Sequence, residues 1–279
     1  MSGIVWLASY PKSGNTWMRM ALASLRAGGA PVDINRATGE EDAIACSRRL
    51  FDRVLDLDAA ELSPHEVQML RPAFYRGVAG MLAQPGFWKV HDASRQVPDG
   101  GLLFPPEATL DVICIVRDPR DVAVSLSHHY GNTIDDAIAI MADPAFTLSP
   151  AGKPGSRHLP QWLGSWSANV LSWLDQGPCV PLLVRYEEMT AQLSEILATI
   201  GRRVDVAATP AAARRAAEAT LFEELRRQED RDGFRERPAA MDRFFRRGEA
   251  GGWRSALTAG QAARIERDHG AVMVRLGYL

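Results

Sequence analysis

Three short stretches of this chain carry side chains able to hold an anion or move a proton. The first, "SYPKSGNTW" (Ser9 to Trp17), sets Lys12, Ser13, Gly14, Asn15 and Thr16 directly after the apolar run "IVWLA". A strand that runs into a helix start leaves the first backbone N–H groups unpaired, and the positive end of the helix dipole favours an anion there. Lys12 adds charge, and Ser13, Asn15 and Thr16 add side-chain donors. The spacing is not that of a Walker loop, because Lys12 precedes Gly14 and no apolar strand ends in the aspartate that would complete a magnesium site. A well-capped helix after a strand would account for Ser13, but it needs neither Lys12 nor the string of donors.

The second stretch, "VRDPRDVAVSLSHH", places Ser125 eight residues past Arg117, about two helical turns on. A guanidinium and a hydroxyl suit a phosphate. Taken by itself, the pattern fits equally well an Arg117 paired with Asp118 or Asp121 and a Ser125 that merely fills a helix. The third is "KVH", with Lys89 and His91. An imidazole titrates near neutrality and suits a general base, although a histidine at a strand end also serves as a structural hydrogen-bonder.

The elements that must position these residues alternate along the chain. "IVWLASY" reads as a buried strand, followed by a helix that stops at Gly28-Gly29. "FWKVH" (87 to 91) and "LDVICIVR" (110 to 117) read as further strands, the latter leading into a helix with Asp118 as N-cap and Pro119 at its first position. "VPLLVRYEEM" (180 to 189) repeats the theme and runs into the amphipathic "TAQLSEILATIG". Strands separated by helices imply a parallel sheet with helices on both faces, and such sheets bind ligands past the carboxyl ends of their strands. Lys12, His91, Arg117 and Tyr186 all fall at or just beyond strand ends, so the pattern predicts that they converge on one rim. Residues 31–86 read as an acidic, mostly helical insertion and 131–160 as a loop with little periodicity; both are candidate walls of a pocket. "LPQWLGSWSANVLSWL" reads as one helix carrying Trp162, Trp166 and Trp173, and "LRRQEDRDGFRERP" as solvated surface.

A net charge of −2 offers no global attraction to nucleic acid or anionic membrane, so the expected ligand is a small anion held by local charge. Cys46, Cys114 and Cys179 have no Cys-x-x-Cys spacing, which fits reduced thiols in the cytoplasm. The N-terminal apolar run is too short for a signal peptide or membrane span, and no membrane insertion is expected.

Together these segments resemble the cytosolic-type sulfotransferases, which use 3′-phosphoadenosine 5′-phosphosulfate (PAPS) as sulfuryl donor and release PAP. "YPKSGNTW" resembles the family's 5′-phosphosulfate loop, with Lys12, Ser13, Gly14, Asn15, Thr16 and Trp17 in the binding positions. "VRDPRDVAVSLSHHY" resembles the 3′-phosphate site, at Arg117 and Ser125, and "KVH" the strand end that carries the catalytic base. "RYEEM" is similar to the adenine-side tyrosine segment, at Tyr186, and "ATLFEELR" to the Thr-x-Phe stretch, at Thr220 and Phe222. "FFRRGEAGGWRSALT" resembles the late Arg-Lys-Gly segment, which puts Arg246, Arg247 and Gly248 on the 3′-phosphate. The six segments stand in family order over nearly the whole chain. Asn15 replaces a threonine, Arg247 replaces a lysine, and the family's C-terminal dimerisation stretch is only weakly echoed in "RSALTAGQAARIE", so the resemblance lends a homodimer little support.

The resemblance implies an α/β fold: a single domain over residues 1–279 with a central, mostly parallel sheet flanked by helices, similar to P-loop NTPases. It implies in-line, metal-independent transfer to a hydroxyl or amine of a small-molecule acceptor. His91 is then the base, with His128 and His129 as rivals only if their helix bends toward the acceptor. Lys12 meets the leaving oxygen, Lys89 supports the sulfuryl group, and Ser125 restrains Lys12. Phe51, Phe74, Tyr75 and Phe146 are aromatic candidates for the acceptor pocket, though each reads first as core. The competing classes are a metal-dependent kinase, which shares a strand-loop-helix phosphate site, and a PAPS-binding module without chemistry.

Overall fold

The computed structural model describes residues 2–36, 42–149, 156–206, 208–238 and 241–279. Along the chain run β1 (Ile4–Ala8), α1 (Asn15–Arg26), α2 (Arg48–Leu55), α3 (Pro64–Met81), β2 (Gly86–Val90), β3 (Thr109–Val116), α4 (Pro119–Tyr130) and α5 (Ile134–Ala142). They are followed by β4 (Thr147–Leu148), β5 (Gln161–Trp162), α6 (Trp166–Asp175), β6 (Leu182–Arg185), α7 (Tyr186–Arg203), α8 (Pro210–Ala219), α9 (Phe222–Asp232), α10 (Trp253–Ala256) and α11 (Ala259–Arg275). The central sheet has the order β2-β1-β3-β6, with β1 parallel to both neighbours; helices lie between β1 and β2 and between β3 and β6, while a stretch without an α-helix joins β2 to β3. This is the expected α/β architecture. Every residue of β1 is buried, as a strand covered on both faces requires, which is why it reads as an unbroken apolar run.

The chain forms two compact units. The first comprises Met1–Tyr10, Glu40–Cys114 and Asp143–Leu183. Its core is a cluster of buried rings, Trp6, Phe74, Tyr75, Trp88, Phe104 and Trp173, with Phe51 packed edge-on against Phe74. Phe51, Phe74 and Tyr75 are therefore spent on the core and do not face an acceptor. The helix that carries two of them, α3, starts on a capping box of Ser63 and Glu66 with Pro64 at its first position. The outer edge of β2 is covered: Ala45 N–H donates to the Lys89 carbonyl and Lys89 N–H to the Ala43 carbonyl, each at 2.9 Å.

The second unit comprises Pro11–Gly39, Ile115–Ala142 and Val184–Leu279. Here α8 packs against α1 and α7, while α4 packs against α5 and α11. A smaller core of Met20, Ile34, Leu225, Phe234 and Phe245, joined by Trp17, Val32, Phe222 and Phe244, lies under the late arginine segment.

Three sequence expectations change. The run at 225–238 is not plain solvated surface, because α9 occupies Phe222–Asp232 and buries Leu225, Gln228 and Glu229. Those positions follow helical spacing, but two of the three are polar, so a count of apolar residues misses them. Gln228 accepts from Ile34 N–H at 3.2 Å, and the Glu229 carboxylate accepts from Phe244 and Phe245 N–H at 2.7 and 2.8 Å. The second change is α5, which interrupts the loop expected over 131–160. Thr133 and Asp136 cap it reciprocally, and Ala137, Ile138 and Met141 are buried. Residues 150–155 of that stretch lie outside the described residues. Third, the tryptophan-rich run is not one helix: Trp162 belongs to β5, paired antiparallel with β4, and α6 begins only at Trp166, capped by Ser165. Gly164, at φ 64°, makes the break between them.

Candidate active site

In the second unit the turn after β1 has the shape an anion needs. Lys12 has a left-handed backbone at φ 71°, uncommon for a residue with a side chain. Gly14 is the N-cap of α1 at φ 104°, and a Cβ there would stand 2.7 Å from Cδ2 of Tyr186. The helix has no side-chain cap and no acidic residue in its first turn. Ser13, the residue a plain capping account would use, is not the cap: it is buried, and its Oγ has no hydrogen-bond partner among the described residues. An orphaned buried hydroxyl beside an uncapped helix start suits an acidic ligand. Asn15 is buried, and Thr16 and Trp17 are half-buried on the first turn.

Arg117 fastens this loop. Its guanidinium donates to the Lys12 carbonyl at 3.3 Å and the Glu249 carbonyl at 2.8 Å, and lies 4.2 Å from the Tyr186 ring centroid. The two carboxylates nearest to it in sequence are engaged elsewhere. Asp118 caps α4 and binds Arg120, while Asp121 accepts from Gly251 and Trp253 N–H at 2.6 and 2.8 Å. Ser125 stands half-buried two turns along α4.

Arg246 and Arg247 extend the positive cluster. Burial and the charges of Arg247 and Arg117 pull the Arg246 guanidinium below its usual range, and only Glu249 opposes them. His128 on α4 is likewise held below its usual value, by burial and then by Arg246 and Arg247. Among the described residues, Arg117, Arg246 and Arg247 make no salt bridge. The paired N–H groups that Glu229 holds at Phe244 and Phe245 fix the start of this segment. Phe244 in turn lies 4.3 Å beneath the Lys12 ammonium. Gly248, at φ 70°, lies so close to Phe222 that a Cβ would meet its ring at 2.3 Å. The Tyr186 ring meets Trp17 edge-on at 5.8 Å, and the Trp17 indole donates to the Thr220 carbonyl at 2.7 Å. Thr220 itself is fully buried with its hydroxyl on the Ala216 carbonyl, so its side chain holds α8 and its backbone holds Trp17.

The first unit contains Lys89 and His91, both half-buried at the end of β2. The register Ala8↔Val90 sets the ends of β1 and β2 side by side, so Ser9 adjoins His91. Nδ1 of His91 lies 2.8 Å from the Ser9 carbonyl and 3.3 Å from its hydroxyl. A carbonyl only accepts, so Nδ1 carries a proton, and the neutral imidazole then has its basic lone pair on Nε2. The predicted residues thus gather in two groups: Lys12 to Trp17, Arg117, Ser125, Tyr186, Thr220, Phe222 and Arg246 to Gly248 in the second unit, and Lys89 with His91 in the first.

Sequence reasoning missed Ser9, Asn169 and Glu229 and offered Asp121 only as a partner for Arg117; each holds a predicted residue or its loop. Asn169 left a signal, being a polar residue three after Trp166 and four before Trp173, on the apolar face of α6. Ser9 acts through its backbone and left none.

The mouse sulfotransferase SULT7A1, solved in complex with PAP, superposes with a TM-score of 0.58 at 18% identity over 97% of this chain and 84% of its own. Retinol dehydratase has been solved with androsterone and inactive cofactor PAP, and also with retinol and PAP. It superposes with a TM-score of 0.58 at 19% identity, over 97% of this chain and 80% or 81% of its own. At such identities the likeness carries the fold. A family model described as a sulfotransferase domain matches residues 3–277, nearly the whole chain. The chain therefore belongs to the sulfotransferase family, the PAPS-dependent transferases that its sequence motifs resemble.

Proposed function

We propose that this enzyme moves the sulfuryl group of PAPS to a hydroxyl or amine of a small-molecule acceptor, in line, with His91 as general base. The observation that carries the reading is the positive cluster of Arg117, Arg246 and Arg247 in the same unit as the loop around Lys12, with Asp118 and Asp121 committed to other donors. A phosphate relieves that repulsion, and the buried hydroxyl of Ser13 supports a second acidic group at the start of α1. Arg117, Ser125, Arg246, Arg247 and Gly248 take the 3′-phosphate. Ser13, Gly14, Asn15 and Thr16 take the 5′-phosphosulfate, and Trp17, Tyr186 and Phe222 frame the adenine, with Thr220 holding Trp17.

Sulfuryl transfer leaves little covalent work to the protein, so orientation and charge stabilisation dominate. The tautomer set by Ser9 leaves Nε2 of His91 as the nitrogen that takes the acceptor proton. Lys12 stabilises charge on the leaving oxygen, Lys89 supports the sulfuryl group, and Ser125 restrains Lys12 before an acceptor arrives. No step calls on a metal, and activity should survive EDTA. The domain is 1–279, and the setting is the cytoplasm, consistent with three cysteines that form no disulfide.

Calorimetry with PAP, adenosine 5′-phosphosulfate and AMP tests the donor assignment. PAP should bind at least 100-fold more tightly than either ligand lacking the 3′-phosphate, from two or more charged hydrogen bonds at about 1.5–3 kcal/mol each. Equal affinities would show that Arg117, Arg246 and Arg247 do not hold a 3′-phosphate.

A further inference from the structure

His91 is a side chain on a strand end, and strand ends move unless something holds them. Behind this one lies a closed set of buried polar bonds. Asp92, the next residue, is fully buried, and both its oxygens are taken: Arg71 donates Nη1 to Oδ1 at 3.0 Å and Nη2 to Oδ2 at 2.8 Å, and Trp162 N–H donates to Oδ1 at 3.1 Å. Arg71 is fully buried too, and Nε and Nη2 both reach the Tyr75 hydroxyl, which donates to the Ala45 carbonyl at 3.0 Å. The backbone carbonyl of Asp92 accepts from the Trp173 indole at 2.9 Å. Three hydrogen bonds from Arg71 and Trp162 thus hold the Asp92 carboxylate inside the core directly behind His91.

Asn169 makes the direct link. Its amide nitrogen donates to the carbonyl of His91 at 3.0 Å and to that of Leu163 at 3.1 Å, and the residue is buried. Ala93 N–H donates to the Trp162 carbonyl at 2.9 Å, so residues 91–93 are bonded on both sides to the segment that precedes α6. Asn169 holds the backbone carbonyl at His91, Arg71 the side chain of Asp92 and Trp173 its carbonyl, and this fixed strand end is where Nδ1 meets the Ser9 carbonyl.

We propose that Asn169 is the positioning residue of His91, acting with the Arg71–Asp92 pair to lock the imidazole in the Nδ1–H tautomer. The inference deepens the general-base reading and rests on it for its catalytic meaning, but the tautomer is observable without any acceptor. Asn169→Leu keeps the branched outline of the side chain and removes both donors. Asn169→Ser shortens the side chain beyond reach, and the two are carried in parallel so that a folding defect in one does not decide the outcome.

The test is long-range ¹⁵N–¹H spectroscopy of histidine-labelled protein, with His91 assigned through His91→Gln, together with PAP binding by calorimetry. In the wild type the Nδ1–H form should account for nearly all of the His91 signal. In both Asn169 variants it should fall to a mixture with the Nε2–H form while PAP affinity changes less than about twofold. With labelled PAPS and 2-naphthol as the acceptor probe, kcat should fall about 10- to 100-fold with little change in KM, as expected for a misplaced reacting group. A single Nδ1–H tautomer retained in the folded variants overturns the positioning role. If instead the tautomer shifts but His91→Gln transfers sulfate at the wild-type rate, the positioning stands and the general-base reading fails.

Discussion

Replacing Arg246 by glutamine should move stability and ligand binding in opposite directions. In the ligand-free protein Arg246 lies partly buried beside Arg247 and Arg117, and its charge is disfavoured by burial first and by those two cations next. Removing it relieves repulsion, so the melting temperature of the free protein should stay level or rise. The same change deletes a charged donor from the proposed 3′-phosphate site, at about 1.5–3 kcal/mol, or roughly 10- to 150-fold in Kd. At a PAP concentration 100 times the wild-type Kd, bound ligand stabilises the wild type by about 2.7 kcal/mol, and a 100-fold weaker variant by only about 0.4 kcal/mol. Differential scanning fluorimetry with and without PAP reads both effects in one experiment. A variant that melts lower when free, yet gains as much from PAP as the wild type, would show that Arg246 is structural and that the cluster is not a phosphate clamp.

Gly248→Ala should weaken PAP binding more than tenfold by calorimetry, because the new Cβ meets the Phe222 ring at 2.3 Å and φ there is 70°. Trp17→Phe removes the donor on the carbonyl of fully buried Thr220 and should cost about 1–3 kcal/mol in urea unfolding. His269 on α11 is 3% exposed, and burial pulls its pKa down to about 4. Its folded value lies below its unfolded one, so its contribution is fully present above about pH 6.5 and lost as pH falls toward 4; the whole effect is about 3 kcal/mol. His269→Gln should flatten the stability profile between those limits; an unchanged slope would assign the acid sensitivity elsewhere.

The sheet and the donor loops were legible because apolar runs and their flanking turn residues encode them locally. β1, β3, the Asp118–Pro119 start of α4 and the glycine stop after α1 all follow from neighbours in sequence. What escaped the sequence was set by distant partners. α9 hides because Gln228 and Glu229 are buried for their bonds to backbone N–H groups of residues 34, 244 and 245, which no hydrophobic period reveals. Two readings of Arg117 were open from its neighbours alone. They separate only when Asp121 is seen bonded to residues 251 and 253, some 130 positions away. The tautomer of His91 depends on the carbonyl of Ser9, and a backbone atom has no residue type to read. Thr220 shows the converse: its motif position was recognisable, but its hydroxyl is turned to the Ala216 carbonyl.

Transfer of the sulfuryl group from PAPS to an acceptor is the reaction on which the proposed roles of Lys12 and His91 depend. It is tested most directly by following ³⁵S from labelled PAPS across a panel of phenols, hydroxylated metabolites, sugars and amines, with PAP release quantified in the same reactions and EDTA present throughout. At least one acceptor should gain label in step with PAP formation, and both signals should fall by about 10²–10³-fold in Lys12→Ala and His91→Ala protein. Label that never leaves the nucleotide while PAP binds tightly, or transfer at the wild-type rate by either variant, would contradict it.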